Sequence, residues 1–364
     1  MSRELFAGLM SGTSLDGVDA VLADFSAMPP QILAHAHHAF DAALRAELLA
    51  LNSPGADELD RSARCANELA RRYAAAVRAV LAEAAVSPAA VRAVGCHGQT
   101  VRHRPDRGYT VQLGNAALLA ELCGARVVAD FRSRDIAAGG QGAPLAPAFH
   151  AALLRSPREH RAVLNVGGIA NLTWLPSTGD VAGFDCGPGN CLMDLWAGLH
   201  LGQPMDTDGA WAAGARADPA LLERLLGEPY FARRPPKSTG RDLFNEAWLR
   251  ARLSAAADAR VVQATLLELS AQSIADAMAR ECSGAQRLVV CGGGVHNRAL
   301  MARLGALLAP MPVESSAAHG IDPGLVEPLA FAWLARQTLL EAPGSLPAVT
   351  GAKGARVLGA IYPP

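Results

Sequence analysis

The chain has 364 residues, room for two ordinary hydrophobic cores at roughly 100–200 residues per domain. Its 33 Lys and Arg against 34 Asp and Glu leave a net charge of -1, without the basic bias that a nucleic-acid surface needs. Lys237 and Lys353 are the only lysines, and neither sits in the Gly-Lys-Ser/Thr setting of a Walker A loop, so P-loop chemistry is excluded.

Short β-rich runs alternate with longer Ala- and Leu-rich stretches, the pattern of an α/β architecture. Leu5–Met10 and Val18–Phe25 predict two strands joined through Gly12, Thr13 and Ser14. Val91–Cys96, Tyr109–Leu113 and Val127–Phe131 predict three more, with helices between. The segment Ser156-Pro157-Arg158 reads as a domain boundary. Ala162–Val166 then runs into Gly167-Gly168 and returns through Leu172–Leu175, so strand, glycine turn and returning strand occur once in each half. Such turns can aim backbone N–H groups at phosphate oxygens with no side chain in the way. Two ordinary hairpins would have the same composition.

A helix is predicted over Cys191–Leu199, just after Asp185 and the Cys186-Gly187-Pro188-Gly189 turn. From Thr265 to Glu281, Leu267, Ala271, Ile274 and Met278 recur at helical steps and mark one buried face. The strand Leu288–Cys291 leads into Gly292-Gly293-Gly294 and a helix carrying Leu300, Leu304 and Leu307. Strand, glycine turn and helix N-terminus suit the close approach of a nucleotide, and equally a tight turn packing helix on strand. A dinucleotide fingerprint fails, because Asn297 replaces the third glycine.

The seven cysteines are scattered without a CxxC pair, which argues against a disulfide framework and a zinc cage. The uncharged run from Gly139 to Leu154 is interrupted by Pro144 and Pro147 and does not read as a membrane span. Ser11, Thr13 and Asp16 follow only a short apolar start, unlike a signal peptide. A cytoplasmic protein is expected.

Two phosphate-cradling hairpins and a Gly-Gly-Gly turn resemble the arrangement of the actin, Hsp70 and sugar kinase superfamily. The expected fold is therefore α/β, with two related ribonuclease H-like lobes and a nucleotide cleft between them. The lobes are expected at 1–158 and 159–345, with a tail, 346–364, that can return to the first. The stretch from Gly8 to Asp19, GLMSGTSLDGVD, resembles the opening of the anhydro-N-acetylmuramic acid kinases. Further blocks agree in order: Gly95–Thr100, Ala129–Arg132, Gly139–Pro144, Asn165–Gly168, Gly183–Asn190, Pro236–Arg241 and Cys291–Gly294.

The resemblance implies an ATP- and Mg²⁺-dependent kinase that opens 1,6-anhydro-N-acetylmuramic acid by hydrolysis and phosphorylates O6. The product would be N-acetylmuramic acid 6-phosphate, in peptidoglycan sugar recycling. The implied partner is this small molecule, with no nucleic acid and no membrane; a homodimer is compatible with it. O6 is locked in an ether bridge to C1 and has no proton to lose, so the base must activate a water that attacks C1. Asp185 is the candidate, against the alternative of a helix-capping Asp. Gly12, Thr13, Ser14, Asp16, Gly17 and Asp19 resemble the first nucleotide stretch, Gly167 and Gly168 the second phosphate turn, and Gly292, Gly293, Gly294 and Asn297 the adenosine site; Asp16 also reads as a plain surface turn.

A muramyl sugar carries a lactyl carboxylate, for which Arg132 is the candidate and Arg134 an available neighbour. His97, Gln99, Asp130 and Glu327 complete the implied substrate set. Two departures matter. Most of the superfamily has an Asp two residues before the first-turn glycine, holding Mg²⁺ through water, where this chain has Met10, and no metal ligand is assigned. Pro328 interrupts the family's pattern beside Glu327, although proline is tolerated in a first helical turn. An ordinary hexose kinase is the nearest alternative; an Hsp70-like switch would need a peptide-binding module, and a glycosidase two opposed carboxylates and no nucleotide.

Overall fold

The computed structural model describes residues 3–12, 15–254 and 256–364. In chain order its strands are β1 (Leu5–Met10), β2 (Gly17–Asp24), β3 (Gln31–Ala39), β4 (Ala93–Cys96), β5 (Gln99–Arg104), β6 (Tyr109–Leu113), β7 (Val127–Ala129), β8 (Arg161–Val166), β9 (Ile169–Leu175), β10 (Ala182–Pro188), β11 (Arg287–Cys291), β12 (Val313–Ser315) and β13 (Ala360–Tyr362). The chain divides into two units, Met1–Leu153 with Leu325–Pro364, and Leu154–Gly324.

The first unit holds a sheet of order β13-β7-β4-β1-β2-β3, in which β1, β4 and β7 are parallel and β2 and β3 form an antiparallel meander. The second holds a sheet of order β10-β9-β8-β11-β12, in which β8, β11 and β12 are parallel and β9 and β10 form the meander. Both sheets thus follow one plan: three strands joined as hairpins, then parallel strands added beyond the first. That is the repeated α/β lobe of the actin, Hsp70 and sugar kinase fold, and the two hairpins are β1–β2 and β8–β9.

Residues alternate across β1 and β2, and Leu5, Ala7, Leu9, Val18, Ala20 and Leu22 face one side. They share a core with Cys65, Leu69, Tyr73 and Val77, spaced four apart on the helix Glu58–Glu83. The opposite side is covered by the helix Val326–Leu339. The sequence reading ran the second lobe to 345, whereas this helix belongs to the first unit. Bare glycine backbone makes that possible, because a Cβ on Gly8 would collide with the Pro328 carbonyl and one on Gly95 with that of Phe331. Pro328 is the third residue of the helix, where its missing N–H costs no internal bond.

Gly8→Ala is accordingly expected to destabilise the protein by about 1–3 kcal/mol, the scale of overpacking a tight contact. Urea unfolding checks it; an unchanged midpoint would show that the helix can give way.

In the second unit the helix Ala259–Glu281 buries Leu267, Ala271, Ile274 and Met278, and Leu300 and Leu304 join the same core. All seven cysteines are buried, and none is in a disulfide. Among the described residues no helix is long and apolar enough to cross a membrane.

Candidate active site

In the first unit the parallel strands β1, β4 and β7 deliver Ser11 and Gly12, His97, and Asp130 and Arg132 at their carboxyl ends, where open α/β sheets hold ligands. Ser11 is buried, its hydroxyl 2.7 Å from the Tyr73 hydroxyl and donating to the Gly98 carbonyl. The Gln99 amide donates to the Gly12 carbonyl at 3.1 Å, while among the described residues its buried Oε1 has no partner. The same short network therefore braces the first glycine turn and the loop after β4. Thr13 and Ser14 lie outside the described residues.

Arg132 points inward. Its Nε and Nη2 donate to Nε2 of His97 at 3.2 and 2.9 Å, and Nη1 donates to the Gly142 carbonyl at 2.8 Å. A guanidinium only donates, so Nε2 accepts and the neutral ring carries its proton on Nδ1. Burial first, then the Arg132 charge, push the His97 pKa down to about 3, so the ring stays neutral. Burial also lowers Arg132, to about 10, with Glu327 and Asp135 opposing, so it remains a cation.

Beneath this pair, buried Asp135 accepts from the Gly142 N–H and from the Thr350 hydroxyl, both at 2.8 Å. Residues from 132, 142 and 350 thereby fix one another. The expected strand Val127–Phe131 ends at Ala129, and Asp130 turns the chain with φ 60° while accepting from Ser133. Arg134 is exposed. A cavity of about 280 Å³ takes in His97 and Asp130 together with Tyr73, Gln112, Asn115 and Tyr362. Glu327 opens its helix and faces Arg132 electrostatically. Of the other nucleotide candidates here, Asp16 is exposed, Gly17 starts β2, and Asp19 accepts from or donates to His37 Nδ1 at 2.8 Å, according to the imidazole and carboxyl protonation.

In the second unit the carbonyls of Gly167 and Gly168 accept from the amides of Gly189, Asn190 and Cys191 at 2.9–3.0 Å. In trans peptides the N–H points opposite the C=O, so the amides of Gly168 and Ile169 face away from that loop. The third glycine turn packs on the same strand end. Gly292 has φ 80°, and a Cβ on Gly292 or Gly294 would run into Asn165 or Val166. Tight packing explains those two glycines. It does not explain Gly293, where a Cβ would meet nothing within 4 Å. Asn297 caps the helix Arg298–Leu308 by accepting from the Leu300 N–H.

Asp185 lies on β10, next to a bulge, and does not cap the helix Cys191–Leu201, whose N-cap is Asn190. Its carboxylate accepts from the Thr239 N–H at 3.0 Å, its own N–H donates to the Lys237 carbonyl, and its carbonyl accepts from the Tyr230 hydroxyl at 2.8 Å. Burial raises its pKa to about 6, against the Thr239 N–H and the Lys237 charge. A carboxylate poised there is suited to take a proton near neutral pH.

The sequence reading missed Thr239, Lys237 and Tyr230 around Asp185, and Asp135 and Thr350 around Arg132. The block Pro236–Arg241 was the one available signal; nothing in the sequence tied it to a residue some fifty positions earlier.

Comparison with known proteins adds a family to this geometry. The profile of a family described as anhydro-N-acetylmuramic acid kinase matches residues 4–364. The chain is 56% identical over 364 residues to the anhydro-N-acetylmuramic acid kinase of Thiobacillus denitrificans, covering 99% of this chain and 97% of the relative. It is 56% identical to that of Variovorax paradoxus over the whole of both chains. Among solved structures, component A of (R)-2-hydroxyglutaryl-CoA dehydratase from Acidaminococcus fermentans is similar at TM-score 0.50 and 14% identity, covering 90% of this chain and 96% of that one, a likeness of fold alone.

Proposed function

The chain belongs to the anhydro-N-acetylmuramic acid kinase family, and from that premise we propose how its residues divide the work. The enzyme is a kinase for 1,6-anhydro-N-acetylmuramic acid in peptidoglycan sugar recycling. ATP supplies the phosphoryl group. Asp185 takes a proton from a water whose oxygen bonds C1 of the sugar. The C1–O6 bond breaks, and O6 bonds the γ-phosphorus as the bond to the β,γ-bridging oxygen breaks, so ADP leaves with that electron pair. The proton on Asp185 passes to solvent. The observation that carries this role is the Asp185 carboxylate itself, aimed by the Thr239 N–H and raised toward neutrality by burial.

The first unit supplies the sugar-binding residues. Arg132 has five N–H donors and spends three on His97 and Gly142, which leaves two for a lactyl carboxylate. His97, Gln99, Asp130 and Glu327 contribute the remaining polar contacts. Gly12, with Thr13, Ser14, Asp16 and Gly17, and Gly167 with Gly168 meet the phosphates, and Gly292, Gly293, Gly294 and Asn297 the adenosine. The open space at Gly293 supports this, since it is room that the protein does not use.

Mg²⁺ fits the donors at hand. It is commonly held through one or two carboxylates plus substrate phosphates, and Asp19 lies directly across the β1–β2 hairpin from Met10, on the same face of the sheet. The ion would neutralise phosphate charge there.

The direct test is the product formed from ATP, Mg²⁺ and the anhydro sugar in ¹⁸O-labelled water. The label should appear at C1 and phosphate at O6; label in the phosphate would exclude the coupled step. The pH profile gives a second check. Because the base works deprotonated, kcat should fall as pH drops through about 6, the value set by burial of Asp185. An acidic limb that survives in Asp185→Asn would belong to another group.

A further inference from the structure

Phosphoryl transfer needs positive charge at the phosphates, and this chain has no P-loop lysine to provide it. Lys237 is the nearer of two lysines to Asp185, but its ammonium stacks 4.8 Å from the Tyr230 ring centroid and 6.0 Å from that of Phe184. The requirement is met elsewhere on the same segment. Residues 237–239 are stitched to Asp185 by two hydrogen bonds, Asp185 N–H to the Lys237 carbonyl and Thr239 N–H to the Asp185 carboxylate. Two residues on, the Arg241 guanidinium comes to 3.7–3.9 Å from where a Cβ of Gly168 would stand. It is therefore beside the second glycine turn, whose Gly168 and Ile169 amides face away from the 189–191 loop.

Arg241 is exposed and, among the described residues, has no carboxylate oxygen within 4.0 Å, although Asp194 on the neighbouring helix feels its charge. The Thr239 hydroxyl, between Arg241 and Asp185 along the chain, is buried and among the described residues has no hydrogen-bond partner.

We propose that Arg241 is a phosphate-binding residue of this kinase, its guanidinium donating to oxygens of the γ-phosphoryl group that is transferred to O6. The assignment rests on reading the Gly167–Gly168 turn as a phosphate cradle. It gives the segment 237–241 a single mechanical purpose: one bonded strip of backbone sets both the base and the phosphate clamp. Arginine suits the task, because its planar fork matches two phosphoryl oxygens.

The test compares wild type, Arg241→Met, Arg241→Lys, Arg241→Ala and Gly293→Ala. For each, kcat, KM for the anhydro sugar, melting temperature, and calorimetric affinities for ADP and for the β,γ-imido analogue of ATP are measured. Arg241→Met should lower kcat by about 10²–10³-fold, the scale of losing one preorganised donor to transition-state charge. It should also abolish any preference for the imido analogue over ADP, while sugar KM and melting temperature stay near wild type. Arg241→Lys should recover part of the rate but not all, as a point charge replaces a fork. Added guanidinium ion should partly rescue Arg241→Ala, which a packing role would not permit.

A rate for Arg241→Met within about threefold of wild type, far from that scale, overturns the proposal, as does a loss confined to melting temperature. If Gly293→Ala weakens both nucleotides and Arg241→Met weakens neither, the nucleotide reading stands and the Arg241 assignment falls. If neither variant touches nucleotide affinity, the nucleotide reading falls with it.

Discussion

Asp185→Asn is expected to cut kcat by about 10²–10⁴-fold, the usual worth of a general base, which is about 3–5 kcal/mol of transition-state stabilisation. Asn keeps the shape of Asp and, through its amide oxygen, can still accept from the Thr239 N–H, so the segment 237–241 should hold its place. Nucleotide and sugar affinities should survive. Stability should not fall. The folded-state pKa of Asp185, about 6, lies above the unfolded value of 3.8, so the native state favours the protonated carboxyl. That contribution is fully present below the unfolded value and disappears as pH rises through about 6. The Asn variant has no charge to bury, and at pH 8 its melting temperature should equal or exceed that of wild type. A folded variant keeping more than about a tenth of the activity, far above the general-base range, would sink the assignment.

Arg132→Met should raise KM for the anhydro sugar about 10–100-fold, since a charge-assisted hydrogen bond contributes roughly 1.5–3 kcal/mol. The decisive readout is a comparison of substrates. Against 1,6-anhydro-N-acetylglucosamine, which has no lactyl carboxylate, the same variant should lose far less. An equal loss for both sugars would mean that Arg132 serves only to hold Gly142 and His97. Loss of the guanidinium also frees Nε2 of His97, so its ring would no longer be fixed in the Nδ1–H form. Arg132→Lys should not restore wild-type behaviour, because one ammonium cannot serve His97, Gly142 and a ligand together.

How much of this was legible in the sequence depended on distance along the chain. The β1–β2 and β8–β9 hairpins were visible because each packs apolar strand, glycine turn and apolar strand into some twenty residues. The helix Ala259–Glu281 was visible because its periodicity is local. Asp185 could be picked out, but its setting could not: a carboxylate just before a predicted helix reads as a cap, and only the fold shows it on a strand accepting from Thr239. The helix Val326–Leu339 was assigned to the wrong lobe for the same reason. Its partners, Gly8 and Gly95, differ from ordinary strand glycines only through a helix more than two hundred residues away. β13 has three residues and no pattern to read; its pairing with β7 exists only once the sheet does.

The first unit is interrupted: residues 325–364 return to a sheet begun at Leu5, while 154–324 form a unit of continuous chain. During synthesis the second unit can therefore complete its core while the first still has one face of β1 and β4 bare. Domains emerging from the ribosome fold as their sequence becomes available, and closing a loop of this length adds little entropy beyond that of a shorter one. The delay is thus one of timing more than of energy. Until Thr350 arrives, Asp135 lacks one of the two bonds that set the Arg132 loop. On the roles proposed above, the segment that aims the Asp185 carboxylate is made by residue 239, whereas the loop that carries Arg132 is fully bonded only once Thr350 has followed.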